Sequence, residues 1–194
     1  VDKFDTGEVL LHGETLRVRD PAAAIRAGVA LIPDSRRDLG LVMNHSVGFN
    51  VSLPHLRRLS AGGFMRRRRE REIVESARTR AGVNAGSSRT VETLSGGNQQ
   101  KTLFARWMAA PPQVLLADEP TRGIDVGSKR GVYDLVTDLA REGLSVILIS
   151  NENEELLGLA HRILVMRNGR VVAEMDGASA NENDLVRAAF GASA

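Results

Sequence analysis

Cysteine is absent from the 194 residues, which excludes disulfides and thiolate metal sites and fits a reducing compartment. Aromatic residues make up only 4%, with a single Trp and a single Tyr, so no stacking platform for single-stranded nucleic acid is evident. Long apolar runs are missing as well. The longest strand-like runs, VLLA and SVILI, fall far short of the roughly 20 residues of a membrane-spanning helix. Neither sign of charge dominates: 26 basic residues face 24 acidic ones, and a net charge of +2 does not by itself point to nucleic acid. No secretory signal is present, and no G-x-x-x-x-G-K-S/T loop offers to cradle a nucleotide's phosphates. The opening VDKFDTGEVLLHG starts on Val1 and reads like the middle of a longer polypeptide.

What is present is ordinary folded-protein composition, 42% hydrophobic and 26% charged, in a chain long enough for one substantial core. EVLLHGETL predicts two short strands around a His-Gly turn. DPAAAIRAG predicts a short helix, with Asp20 as N-cap, Pro21 at the first helical position and Gly28 as the stop. VALI (29–32), VLLA (114–117) and SVILI (145–149) read as buried parallel strands, covered by helices on both faces. The stretch from about 44 to 110 reads as helical. One helix there carries a stripe of Ile73, Val74, Ala77 and Ala81, and another carries the i, i+4 pairs of Leu103, Phe104, Trp107 and Met108. Val132, Leu135, Val136 and Leu139 mark an amphipathic helix ended by Gly143. RILVM-RNG-RVVAEM predicts a hairpin turning at Asn168-Gly169, and a last helix spans Glu182 to Phe190.

Two stretches carry chemistry. LSGGNQQK (94–101) combines a hydroxyl at Ser95, two glycines that permit close backbone approach, and the start of a helix whose free N–H groups favour an anion. In VLLADEPTRGIDVGSK (114–129) an apolar strand ends in Asp118 and Glu119, at the edge where open α/β sheets place ligands. Paired acids there suit one contact to Mg²⁺ and one group that orients or deprotonates an attacking water. The plain alternative is a loop whose acids cap the following turn. The pairing of both stretches at moderate spacing, followed by a capped helix, speaks against it.

LSGGNQQ resembles the signature motif of ABC-transporter ATPases, VLLADEP their Walker B strand, and RGIDVG their D-loop. The longer strings, together with IPDSRRDLGLV (32–42) and NENEELLGLAHRILVMRNGR (151–170), are similar to the second of two fused ABC domains in bacterial monosaccharide importers of the ribose, galactose and xylose kind. The resemblance covers nearly the whole chain. It implies an α/β fold: a partial ABC-type P-loop NTPase domain with a RecA-like parallel sheet in the order 29–32, 114–117, 145–149, a small antiparallel element, and a helical subdomain at about 44–105. It also implies a single incomplete domain over 1–194, its P-loop strand and helix preceding Val1 and pairing on the free side of SVILI.

The implied function is energy coupling in sugar import. ABC domains work head to tail, so Ser95, Gly96, Gly97, Asn98 and Gln99, with Asp125 and Asn151, are expected to contact ATP held by a P-loop-bearing partner domain, the N-terminal half of the same polypeptide. Asp118 and Asp34, the latter at the family's Q-loop position, are the expected Mg²⁺ ligands, and Glu119 the catalytic carboxylate. Transmembrane permease subunits are the implied docking partners at the cytoplasmic membrane face, a sugar-binding protein an indirect one, and nucleic acid is not implied. Asn151 stands where the family carries a switch histidine, and an amide cannot shuttle a proton as imidazole can. The site therefore reads as degenerate, and the chain alone as inactive. His161 replaces a common Asp of the family. The histidines at 12, 45, 55 and 161 lack metal-ligand spacing. Two other readings stay open: a non-catalytic ABC interaction module, and a soluble ABC ATPase acting on nucleic acid. The run Arg66 to Arg71 suits nucleic acid, anionic lipid or a permease subunit; on balanced net charge it reads first as a solvated helix face.

Overall fold

Three short aliphatic runs, β3 (Val29–Ile32), β6 (Val114–Asp118) and β7 (Ser145–Ile149), form a parallel sheet in the order β3-β6-β7 in the computed structural model, which describes residues 6–191. The register runs Val29↔Val114 through Ile32↔Ala117, and Val114↔Ser145 through Asp118↔Ile149. Before the sheet lie a two-stranded hairpin, β1 (Leu10–Leu11) with β2 (Glu14–Thr15), and α1 (Pro21–Arg26), whose Ala23 N–H is capped by Asp20 Oδ1 at 2.7 Å. The predicted turn at His12 and Gly13 takes positive φ at both residues.

One face of the sheet carries Ala30, Ile32, Leu115 and Ala117, all buried. It packs with α5 (Gly96–Met108), which buries Leu103, Phe104, Trp107 and Met108, and α6 (Val126–Arg141), which buries Val132, Leu135, Val136 and Leu139. Each such aliphatic or aromatic side chain removed from water stabilises by about 1.5–3 kcal/mol. The Trp107 indole N–H is satisfied by the Leu31 carbonyl at 3.0 Å. The expectation of helices on both faces is corrected here. Leu31, Ile147 and Ile149 on the second face are 48%, 54% and 52% exposed, and β7 is an edge strand rather than a buried one.

The segment after β3 is mostly helical: α2 (Val47–Ser52), α3 (Leu56–Leu59) and α4 (Arg67–Arg80). Val74, Ala77 and Ala81 are buried, with Ile73 at the margin of the stripe. The uniform helical reading needs one correction. A small hairpin, β4 (Ser60–Ala61) with β5 (Phe64–Met65), interrupts it, because Gly62 and Gly63 supply the positive φ of a tight two-residue turn. Buried Asn50 ties α2 back to the chain: its Oδ1 accepts from Val42 N–H at 2.8 Å and its Nδ2 donates to the Val42 carbonyl at 3.0 Å.

Past the sheet, α7 (Asn153–Leu159) leads into the antiparallel pair β8 (Arg162–Arg167) and β9 (Arg170–Asp176), then α8 (Glu182–Phe190). Asn168 and Gly169 turn the hairpin with positive φ, as expected. Ile163, Val165 and Leu185 form a second, smaller core packed by Leu156, Leu157 and Met175.

Candidate phosphate-facing surface and acidic strand end

The signature stretch is the start of α5. Ser95 is its N-cap: Oγ accepts from Asn98 N–H at 3.4 Å and from the Asn98 amide at 3.1 Å, while Asn98 Oδ1 accepts from Asn84 N–H at 2.8 Å. The glycines answer to packing. A Cβ on Gly97 would stand 2.7 Å from Ser128 Cβ, and one on Gly96 would stand 3.0 Å from the Arg36 guanidinium and 3.3 Å from the Gly123 carbonyl. The N-termini of α5 and α6 therefore approach closely only because residue 97 has no side chain. Gln99 points inward and is buried. Its Nε2 donates to the Val91 and Leu94 carbonyls at 3.3 and 3.1 Å.

Arg36, which the sequence did not distinguish from Arg37, organises this surface. Its Nε donates to Gln99 Oε1 at 3.2 Å, and its Nη1 and Nη2 donate to the carbonyls of Arg122 and Gly123 at 2.7 and 3.0 Å. One planar guanidinium thus joins the loop after β3, the signature helix and the loop after β6. Partial burial, and the charge of Arg37 beside it, lower its pKa. Arg36 itself is held at the start of a single π-turn, closed by Leu41 N–H to the Arg36 carbonyl at 2.7 Å and Gly40 N–H to the Ser35 carbonyl at 3.1 Å. Asp34 is part of the same arrangement: Oδ2 accepts from Arg122 Nη1 at 3.1 Å and Oδ1 from Ser35 N–H at 2.7 Å. Asp125 caps α6, its Oδ1 accepting from Ser128 N–H at 3.0 Å. The Ser128 hydroxyl and N–H, both hydrogen-bonded to it, hold the Asp125 carboxylate below its ordinary pKa.

The other expected residues meet at the C-terminal ends of β6 and β7. Glu119 has φ +46°, a conformation that costs a non-glycine residue about 1 kcal/mol or more, held by its N–H donating to the Ile149 carbonyl at 2.8 Å. Its Oε1 accepts from Asn151 N–H at 3.0 Å and from the Asn151 side-chain amide at 2.6 Å. Asp118 is the last residue of β6, in register with Ile149. No hydrogen bond among the described residues joins this acidic end directly to Ser95; the two groups share only the loop 119–125.

Behind that loop lies a residue that sequence reading passed over. Glu155 is 1% exposed; its Oε1 accepts from the buried Thr121 hydroxyl at 3.1 Å, while its Oε2 has no hydrogen-bond partner. Burial raises its pKa; the nearby Ser150 and Thr121 hydroxyls oppose the rise, and Glu152 and Glu119 add to it. Lys129 pairs with Glu152 next to it, which raises the lysine's pKa.

Asp118 and Glu119 are hard oxygen donors of the kind Mg²⁺ takes, one or two of them sufficing when phosphate oxygens and water complete the shell. Among the described residues no group of three or more His, Asp and Glu forms a closed metal cage. A cleft of about 410 Å³ lined by Phe104, Trp107, Gln113, Leu139 and Ser145 lies at the opposite, N-terminal end of β6 and β7, away from these acids. No helix among the described residues is long and apolar enough to cross a membrane.

Comparison with known proteins gives a consistent picture. The family described as ABC transporter matches residues 2–122. A ribose import ATP-binding protein of Rhodococcus jostii is 45% identical over 195 aligned residues, covering 100% of the chain, and one from Geobacillus kaustophilus is 38% identical over 97% of it. The chain spans 39% and 38% of the lengths of these two relatives. Among solved structures, the ATP-binding cassette MJ0796, dimeric in a post-hydrolysis state with ADP and Pi, aligns with a TM-score of 0.74 at 23% identity, over 90% of this chain and 75% of that one. The protein cbiO1 of Clostridium perfringens aligns with a TM-score of 0.73 at 19% identity, over 89% and 67%. These two likenesses establish the α/β fold of an ATP-binding cassette, with its parallel sheet, small antiparallel strands and helices.

Proposed function

We propose that this chain, which belongs to the ABC transporter family, is part of the ATP-binding component of a bacterial monosaccharide importer and acts on ATP whose phosphates are cradled by a partner P-loop. The observation that carries the reading is the Ser95–Asn98 helix start, backed by the Arg36 clasp. A capped hydroxyl, free N–H groups and a helix N-terminus stabilise phosphate charge without a lysine. Their partner is a second, P-loop-bearing ABC domain, the N-terminal half of the same polypeptide being the natural source. The importer assignment is supported by the relatives, which are ribose import ATP-binding proteins.

In this reading Ser95, Gly96 and Asn98 face the terminal phosphate, Gly97 lets α6 come close, and Gln99 acts from behind by holding Arg36. Asp118 is the Mg²⁺-facing acid, and the bound ion would neutralise phosphate charge. Glu119 is the candidate base, but Asn151 occupies its Oε1 and accepts no proton, so the acidic end is a weak hydrolytic site. The chain by itself is then inactive. Permease subunits receive the motion of the closing pair at the cytoplasmic membrane face, with the sugar-binding protein acting only through them.

The test is equilibrium binding of a fluorescent ATP analogue to the chain, with and without Mg²⁺, followed by Ser95→Ala in the complete transporter. The reading expects no saturable binding to the chain and a large loss of the transporter's ATPase on replacing Ser95. Tight Mg²⁺-dependent binding to the chain, or full ATPase activity with Ser95→Ala, overturns it. The latter outcome would favour the non-catalytic interaction module.

A further inference from the structure

The segment 56–72 concentrates charge that the chain as a whole does not have. It holds seven arginines against two glutamates, a net +5, whereas the chain carries +2 and its remainder therefore −3. The structure makes this segment one surface feature: α3, the β4–β5 hairpin and the first turns of α4 follow one another, closed by Arg66 N–H to the Leu59 carbonyl at 2.9 Å. Arg67 and Arg68 pair with Glu70 and Glu72, at 3.2 and 3.0 Å, on the helix surface. Arg57, Arg58, Arg66, Arg69 and Arg71 are exposed and make no ion pair among the described residues.

A solvated helix face accounts for arginines but not for what stands among them. Phe64, at the tip of the hairpin beside Gly62 and Gly63, is 82% exposed, and Leu56 is 40% exposed. Leaving a phenylalanine in water at a convex tip forgoes its burial. An exposed apolar tip in a segment that also carries five unpaired cations is complementary to one common surface, the interface of an anionic bilayer, which takes an apolar wedge below the headgroups and cations at their phosphates. Single-stranded nucleic acid suits it less: Phe64 stands alone as an aromatic in the patch and offers no run of stacking platforms.

We propose that the β4–β5 hairpin, with the arginines of α3 and the start of α4, is a docking surface for anionic phospholipid headgroups, with Phe64 entering the interface. The contact is peripheral. It is independent of the nucleotide reading, and its test contains no nucleotide.

The experiment is co-sedimentation of the 194-residue chain with vesicles of phosphatidylcholine alone or with about 30 mol % phosphatidylglycerol, at about 0.1 M and 0.5 M salt. Binding is expected only to the anionic vesicles, and only at the lower salt. An unpaired arginine near such a surface is worth about five-fold in partitioning, so Arg66→Gln with Arg69→Gln should weaken binding about 25-fold. Phe64→Ser should weaken it about ten-fold without changing the salt dependence. All three side chains are exposed, so far-UV circular dichroism should not change. Equal partitioning to both vesicle types, no sedimentation at all, or indifference to Phe64→Ser overturns the proposal. So does tighter retention of a short DNA duplex than of anionic vesicles at the same salt, which would assign the arginines to nucleic acid.

Discussion

Arg36→Ala tests the central geometric claim, that one guanidinium holds three segments together. The substitution removes hydrogen bonds to Gln99 Oε1, the Arg122 carbonyl and the Gly123 carbonyl. The two carbonyls are near solvent and regain water, so each loss costs about 0.5 kcal/mol; Gln99 is 2% exposed, and its orphaned oxygen costs about 1–2 kcal/mol. The sum is about 2–3 kcal/mol. With a urea slope of about 2 kcal/mol/M, the midpoint should fall by about 1–1.5 M. Trp107, the only tryptophan, is buried in the main core and reports that core's unfolding by fluorescence. Arg36→Lys should recover less than half of the loss, since one ammonium cannot reach three acceptors arranged for a planar fork. A double-mutant cycle with Gln99→Met should return a coupling of about 1 kcal/mol. A midpoint shift below about 0.3 M for Arg36→Ala, or full recovery by lysine, refutes the clasp.

Gly97→Ala should destabilise by about 1–3 kcal/mol through the contact with Ser128, and Ser128→Gly in the same chain should recover most of it; additive losses in a thermal melt would refute the close approach of α5 and α6. Glu155 has a folded pKa above its ordinary 4.5, so its protonated form contributes stability that is complete below about pH 4.5 and is lost as pH rises through the folded value. Glu155→Gln should therefore gain in Tm relative to the parent as pH rises from about 4 to 8, and a pH-independent difference would contradict the buried-acid reading. Hydrogen exchange should show faster exchange for the β7 amides that point away from β6 than for β6 itself; equal protection in a monomer would mean that the edge is covered.

Sequence and structure agree where a local signal has a local cause. Asp20 caps α1 as expected because its side chain reaches an N–H three residues on, and Asn168-Gly169 turns a hairpin because both residues tolerate positive φ; Ser95 and Asp125, read from the sequence as ATP contacts, are found to cap α5 and α6 in the same way. The paired stripes of α5 and α6 followed the same way, whereas the strand order was what the family resemblance implied. The misses are non-local. The free edge of SVILI was expected, but SVILI is as apolar as VLLA and its composition does not show that Ile147 and Ile149 on the second face stay half exposed. Arg36 and Arg37 are indistinguishable in the string DSRRDLG, and only the approach of residues 99, 122 and 123 selects the first. Glu155 sits among polar neighbours in NENEELL, with nothing to show that it turns inward to Thr121. The short hairpin at 60–65 was hidden because two residues per strand leave no alternation to read.

The smaller core of Ile163, Val165 and Leu185 meets the rest of the molecule mainly through α7, by its packing on α6 and by the hydrogen bond from Thr121 to Glu155. Such a connection makes the C-terminal hairpin and α8 a cooperative unit of their own. On heating, this unit can melt while the tryptophan signal stays native, so a calorimetric enthalpy would exceed the van't Hoff value. The molecule would then have two melting events, and the loop 119–125, through Thr121, lies on the seam between them.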